Sequence, residues 1–165
     1  MAKITLAGNP INTIGELPKI GEKVKNFVLV AADLSETTLE DFKGKKLILN
    51  FFPSIDTGIC SASARKFNEK ASLLDNTLVI NISKDLPFAL ARFCASEGLE
   101  NVINLSDFRG QTARDYGLEI IDGPLKGLFS RAVVVLDEGN KVIYTEQVPE
   151  IKQEPDYDSA LLVLK

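Results

Sequence analysis

The segment Lys46-Leu-Ile-Leu-Asn-Phe-Phe52 carries apolar side chains at consecutive positions, so as a strand it demands cover on both faces. Pro53 stops it. From Thr57 to about Leu74 the apolar set Cys60, Ala64, Phe67, Ala71 and Leu74 steps by 4, 3, 4 and 3, which is one stripe of an α-helix with Cys60 on the core side. A doubly covered strand that runs through a proline loop into an amphipathic helix belongs in a layered α/β domain.

The flanking pattern extends this unit. Upstream, a hairpin is expected from Lys3–Leu6 and Ile11–Ile14, turned by Gly8, Asn9 and Pro10, with a third strand at Phe27–Ala31 and a helical turn at Thr38–Phe42. Downstream come a strand at Thr77–Ser83, a helix opened by Asp85 and Pro87 and ended near Gly98, and a strand at Val102–Ser106. A short helix at Gln111–Tyr116 leads into a loop rich in turn formers: Gly117, Asp122, Gly123, Pro124 and Gly127. Strands at Arg131–Leu136 and Lys141–Val148 form an antiparallel hairpin, and a helix at Tyr157–Leu164 follows Pro155. The sum is a βαβ half and a ββα half on a mixed sheet flanked by helices. That is the thioredoxin-like arrangement, carrying an extra N-terminal β-hairpin within one domain of 165 residues.

Several functions are excluded early. The chain has no histidine, which removes Ser-His-Asp triads, Cys-His dyads, HExxH zinc sites and imidazole bases. Two cysteines, Cys60 and Cys94, are too few for a tetrahedral zinc cage, and no calcium-loop pattern is present, so neither metal nor cofactor is expected. With 19 basic against 23 acidic residues, nucleic acid is a poor partner, and Lys43, Lys45 and Lys46 around Gly44 read as a solvated turn. Apolar runs such as Ala132–Leu136 fall far short of the roughly 18 residues of a membrane span. The first residues lack the apolar stretch of a secretory signal, so a cytoplasmic location is expected.

Chemistry concentrates at Cys60. It lies in the first turn of a helix, where unpaired backbone N–H groups and the positive end of the helix dipole favour a thiolate. Read by position alone, it is a small buried hydrophobe, as most lone cysteines are. Thr57, three positions earlier, either donates to a thiolate or bound oxygen or caps the helix, and the two roles are compatible. The C-x-x-C of dithiol oxidoreductases is absent, because Cys60-Ser-Ala-Ser63 has serine in the second place. Without histidine, a nucleophilic Cys60 needs a cation beside it, which points towards an arginine.

Pro53-Ser-Ile-Asp-Thr57-Gly-Ile-Cys60 on this pattern resembles the P-x-x-x-T-x-x-C active-site motif of peroxiredoxins. The stretches Asp85–Cys94, Leu105–Arg109, Gly123–Leu128 and Gln153–Tyr157 are similar to one branch, the bacterial thiol peroxidases. The resemblance implies that Cys60 is the peroxidatic cysteine, Cys94 the resolving cysteine, and Arg131 the arginine set against the sulfur. Pro53 would shield the thiolate and Thr57 would position the peroxide. Without the resemblance, Arg131 is an edge-strand arginine and Cys94 a core position. It further implies reduction of hydrogen peroxide and organic hydroperoxides, a Cys60–Cys94 disulfide, recycling by thioredoxin, and a homodimer. Phe51, Phe52, Ile55 and Ile59 around the motif hint at organic hydroperoxides, although most of these side chains read as core. The cysteines stand on different predicted helices while a disulfide holds its Cα atoms within about 7 Å, so local unwinding on oxidation is expected. A redox-inert binding module, a general thiol-disulfide oxidoreductase and a redox sensor are the competing readings.

Overall fold

The computed structural model describes residues 1–98 and 102–164. Its frame is a seven-stranded mixed sheet. In chain order, β1 (Lys3–Leu6) and β2 (Asn9–Asn12) form a separate hairpin, followed by β3 (Val28–Val30), β4 (Glu36–Thr38) and a 3-10 turn at Leu39–Phe42. Next come β5 (Lys46–Phe51), α1 (Gly58–Ala71), β6 (Thr77–Ser83), α2 (Pro87–Glu97) and β7 (Val102–Ser106). The chain continues through α3 (Gln111–Asp115), β8 (Ala132–Leu136), β9 (Val142–Gln147) and α4 (Tyr157–Leu162). Across the sheet the order is β4-β3-β7-β6-β5-β8-β9. β5, β6 and β7 run parallel, and β8 closes antiparallel on the other side of β5.

β5 is central because its sequence leaves no polar face. Leu47, Leu49 and Phe51 enter one apolar layer with the 3-10 turn and α3; Ile48 enters the other with Phe67 of α1 and Ala160 and Leu161 of α4. Right-handed crossovers from β5 to β6 to β7 put α1 and α2 on the same face. All three core leucines and isoleucines of β5 are fully buried, and truncating such a residue to Ala costs about 2–5 kcal/mol. The helical stripe is observed too: Cys60, Ala64 and Phe67 are buried and Leu74 packs against the same layer. Ala71's side chain lies outside the described residues.

Three details differ from the sequence expectation. The N-terminal turn is Ala7-Gly8, both at positive φ (52° and 82°), so β2 starts at Asn9 and Pro10 sits inside the strand. Two such φ values make the tight reversal whose twist matches flanking strands, and an isolated hairpin tolerates a proline. β4 was not expected; Glu36-Thr-Thr38 has no apolar alternation, yet pairs with β3 in a hairpin. Third, Asp85 does not cap α2. Leu86 holds the N-cap position without a side-chain bond, and Pro87 begins the helix with no N–H to satisfy. The Asp85 carboxylate turns instead to the loop before α1. Around Gly44, at φ 83°, Lys43 and Lys45 are exposed as a turn requires. Among the described residues no helix is long and apolar enough to cross a membrane.

Candidate active site

The loop Pro53–Thr57 carries the chain from the end of β5 to the first turn of α1, and a clasp fixes it. Asp85, at the exit of β6, accepts from Ser54 Oγ (2.7 Å), Ile55 N (2.7 Å) and Ser83 Oγ (2.6 Å), while its carbonyl accepts from Ser106 Oγ. Thr57 is the N-cap of α1: its Oγ1 accepts from Cys60 N at 3.4 Å and donates to Ser54 O at 3.1 Å. The hydroxyl proton is thereby turned to the loop. The amides of Gly58 and Ile59, in the first turn, have no intrahelical acceptor.

Cys60 is fully buried among Phe52, Ile55, Ala64 and Leu90, with Phe93 against the cluster. Arg131 immediately precedes β8, and strand alternation places it on the same face as Val133 and Val135, which is the α1 face. Its Nη2 donates to Cys60 Sγ at 3.2 Å and its Nε donates to Ile151 O at 2.8 Å. Nη1 is buried and has no partner among the described residues. No carboxylate forms an ion pair with this guanidinium among the described residues. This guanidinium, 2% exposed, thus has the Cys60 sulfur and the Ile151 carbonyl as its hydrogen-bond acceptors.

The N-terminal hairpin holds this arginine's anchor. Thr5 N donates to Pro149 O (2.8 Å) and Ile151 N to Thr5 O (2.9 Å). The Glu150 carboxylate accepts from the backbone of Lys152, Gly8 and Ala7 and from Thr5 Oγ1. Those bonds, Lys152 N first and Gly8 N next, pull its pKa down to about 2. Ile4, Ile11, Ile120 and Ile151 pack as one apolar cluster beneath the hairpin. Gly123 is needed there, since at φ 76° an added Cβ would meet Ile11 Cγ2 at 2.8 Å.

Above the site lies a cleft of about 560 Å3, walled by Leu6, Ile59, Leu125, Leu128 and Ile151, with Pro53, Thr57 and Arg131 at its base. Most of the apolar residues around the motif are core, as the sequence suggests, and do not line it. Phe51 is core because β5 is covered on both faces, and Phe52 and Ile55 are buried in the Cys60 cluster; Ile59 alone of that set reaches the cleft.

Cys94 lies elsewhere on α2. It is half-buried, a free thiol like Cys60, and packs with the α4 layer rather than with the Cys60 cluster. Burial pushes its thiol pKa up, opposed by a bond donated from Asn104 Nδ2 to its sulfur. Ser63 is fully buried; its hydroxyl donates to Cys60 O at 2.9 Å and accepts from Asn50 Nδ2 at 3.3 Å. Thus Cys60, Arg131, Pro53 and Thr57 gather in one place, and Cys94 stands apart. Sequence reasoning missed Asp85 as the loop clasp, Glu150 and Ile151 as the arginine's anchor, and the Asn50–Ser63 contact. An aspartate between Ser83 and a helix-opening proline was the available signal for the first.

The family model described as Redoxin matches residues 19–161, most of the chain. The chain belongs to the redoxin family. It is 54% identical over 164 residues to a thiol peroxidase of Corynebacterium glutamicum, spanning 99% of each chain. The structure superposes on a peroxiredoxin-like protein from Aquifex aeolicus at TM-score 0.94 and 37% identity, covering 99% of this chain and 96% of that one. It superposes on a thiol peroxidase from Chromobacterium violaceum at TM-score 0.90 and 26% identity, covering 98% and 94%. These redoxin relatives share the thioredoxin-like fold expected from the sequence, including the mixed sheet, and match this chain over nearly its whole length.

Proposed function

We propose that the chain is a two-cysteine thiol peroxidase that reduces hydrogen peroxide and organic hydroperoxides. The observation that carries this reading is Arg131 Nη2 on Cys60 Sγ, with the buried Nη1 left over for a second acceptor. A peroxide entering the cleft meets a fixed guanidinium, first-turn amides and an apolar wall. The Cys60 thiolate attacks the terminal oxygen in line with the O–O bond. An S–O bond forms, the O–O bond breaks, and the leaving alkoxide or hydroxide takes a proton to become alcohol or water, with sulfenic acid left on Cys60. Arg131 donors stabilise charge on both oxygens, a preorganised role worth roughly a factor of 10²–10³ per donor in comparable sites. Pro53 excludes water from the sulfur, and Thr57 orients the first turn; to donate to a peroxide its proton must leave Ser54 O. Because Cys60 is fully buried, entry of substrate needs a small outward shift of the loop that Asp85 clasps.

Cys94 then condenses with the sulfenic acid, forming the disulfide and expelling water, and a dithiol protein such as thioredoxin restores both thiols by exchange. Leu90 and Phe93 of α2 pack on the Cys60 cluster while Cys94 points to β7, so α2 and the first turn of α1 must unwind for the bond to form. A reducing compartment such as the cytoplasm fits two free cysteines. A homodimer follows the thiol peroxidase resemblance and is checked by sedimentation. Ser63, committed to the Cys60 carbonyl, speaks against the C-x-x-C oxidoreductase alternative.

The test follows thioredoxin-coupled consumption of cumene hydroperoxide and hydrogen peroxide by the wild type, Cys60→Ser and Cys94→Ser proteins. Loss of all turnover in Cys60→Ser, with Cys94→Ser reacting once and no longer recycled, is expected. Activity that survives without Cys60, or no thiol loss in the wild type at stoichiometric peroxide, returns the chain to the binding-module reading.

A further inference from the structure

Three parallel strands carry asparagine at the same level: Asn50, Asn81 and Asn104 are direct register partners across β5, β6 and β7. All three point to the helix face, and Asn50 and Asn81 are fully buried. Their side chains form a ladder in which each asparagine donates to the next partner toward Cys94. Asn50 Nδ2 donates to Asn81 Oδ1 at 2.9 Å, Asn81 Nδ2 to Asn104 Oδ1 at 3.0 Å, and Asn104 Nδ2 to Cys94 Sγ. At the other end, Asn50 Nδ2 also reaches Ser63 Oγ, which holds the Cys60 carbonyl, while Asn50 Oδ1 is buried without a partner among the described residues.

This arrangement is costly as packing. A polar row occupies a sheet face that α1 and α2 cover, and leaving one buried acceptor unmet disfavours it further. What the row does is align three amide dipoles with their donor end on one sulfur, each bond polarising the next. The ladder therefore spans from the turn that carries Cys60 to the thiol on α2, and it ends by holding that thiol against β7, away from the Cys60 cluster.

We propose that Asn104 is a positioning residue for the resolving half of the cycle: it latches Cys94 to the sheet, so that the ladder sets how Cys60 sulfenic acid divides between disulfide and overoxidation. The proposal rests on Cys94 being the resolving cysteine. The two fates balance as follows. Cys94 S–H attacks the Cys60 sulfenic sulfur, an S–S bond forms, and hydroxide leaves with the thiol proton as water. Alternatively a second hydroperoxide oxidises the sulfenate to sulfinate and is itself reduced to alcohol. A latch that delays the first branch leaves time for the second.

Wild type, Asn104→Leu, Asn104→Ala and Ile103→Ala proteins are each mixed with cumene hydroperoxide without reductant, acid-quenched, and read by intact mass for disulfide and sulfinic acid. Ile103 packs into the opposite layer of the sheet and carries no hydrogen-bonding side chain, so its variant loosens the strand while leaving the Asn104 bond in place. Both Asn104 variants are expected to oxidise Cys60 at the wild-type rate but to close the disulfide about two- to tenfold faster, the factor that one net hydrogen bond represents. They should also yield less sulfinic acid at excess peroxide. In a Cys60→Ser background, alkylation of Cys94 should accelerate by the same factor with Asn104→Leu. Disulfide closure at or below the wild-type rate in the Asn104 variants overturns the latch, as does equal acceleration by Ile103→Ala. Failure of the resolving assignment shows separately, as Cys94→Ser protein that thioredoxin still recycles.

Discussion

Cys60 and Cys94 are the only cysteines in the chain, and the fold treats them in opposite ways. Cys60 is buried at a helix start, faced by a cation with a spare donor, on a loop clasped by a carboxylate. Cys94 sits mid-helix, half-buried, held by a neutral amide, with its thiol pKa raised by burial. The first sulfur lies against the guanidinium at the base of the cleft; the second faces β7, away from it. Two thiols with the same intrinsic chemistry thus have partners that differ in charge, and under the proposed cycle both the first turn of α1 and α2 must open for them to meet.

Replacement of the sulfurs breaks this contrast most sharply. Cys60→Ser should remove peroxide reduction, a loss of at least about a thousandfold in kcat/KM by coupled assay, since the other cysteine, Cys94, has a neutral amide in place of the arginine. Cys94→Ser should abolish recycling by thioredoxin yet keep the first oxidation near the wild-type rate in stopped flow; a slowed first step would mean that the two environments are not independent.

Arg131→Ala should lower the rate of the first oxidation by about 10²–10³, and Arg131→Lys should not restore it, because one ammonium cannot serve Ile151 O and the sulfur in the same fork. Wild-type kinetics in Arg131→Ala would erase the difference between the two cysteines. Thr57→Val, measured by chemical unfolding, should cost about 1 kcal/mol for the lost cap, with a further fall in peroxide rate as the first turn frays.

The smallest expected effect tests the arginine's anchor. Glu150 has its folded pKa lowered to about 2 from 4.5, so the stability it lends is present above the unfolded value and is lost as pH falls through the folded one. Acid unfolding of Glu150→Gln should accordingly converge with wild type near pH 2 and fall below it near neutrality. If the two curves coincide at pH 7, the hairpin's hold on Ile151 does not matter for the site.

Much of this was readable before the structure. β5, α1, β6 and β7 follow from apolar runs and the helical stripe, which are local signals, and Thr57 and Cys60 follow from their place at a helix start. Arg131 was legible only through resemblance to a family, since an arginine at a strand start has no distinctive local pattern. The asparagine ladder was hidden for a different reason. Asn50, Asn81 and Asn104 meet only if three strands share one register, and a slip of one residue turns each to the other face. The clue was present in the repeated apolar-Asn-apolar texture of Leu49-Asn50-Phe51, Ile80-Asn81-Ile82 and Ile103-Asn104-Leu105. β4 escaped because its pairing, not its composition, makes it a strand.

The guanidinium that faces Cys60 stands seventy-one positions later in the chain, and its anchor at Ile151 comes later still. A ribosome adding about 5–20 residues per second makes the nucleophile several seconds before the cation that accompanies it. The nascent chain thus emerges with Cys60 ahead of the arginine and of most of the cleft wall that lie beside it in the fold. The surroundings of that sulfur are complete only once β8 and the segment through Ile151 have joined the fold, so the site is assembled from contacts distant in sequence.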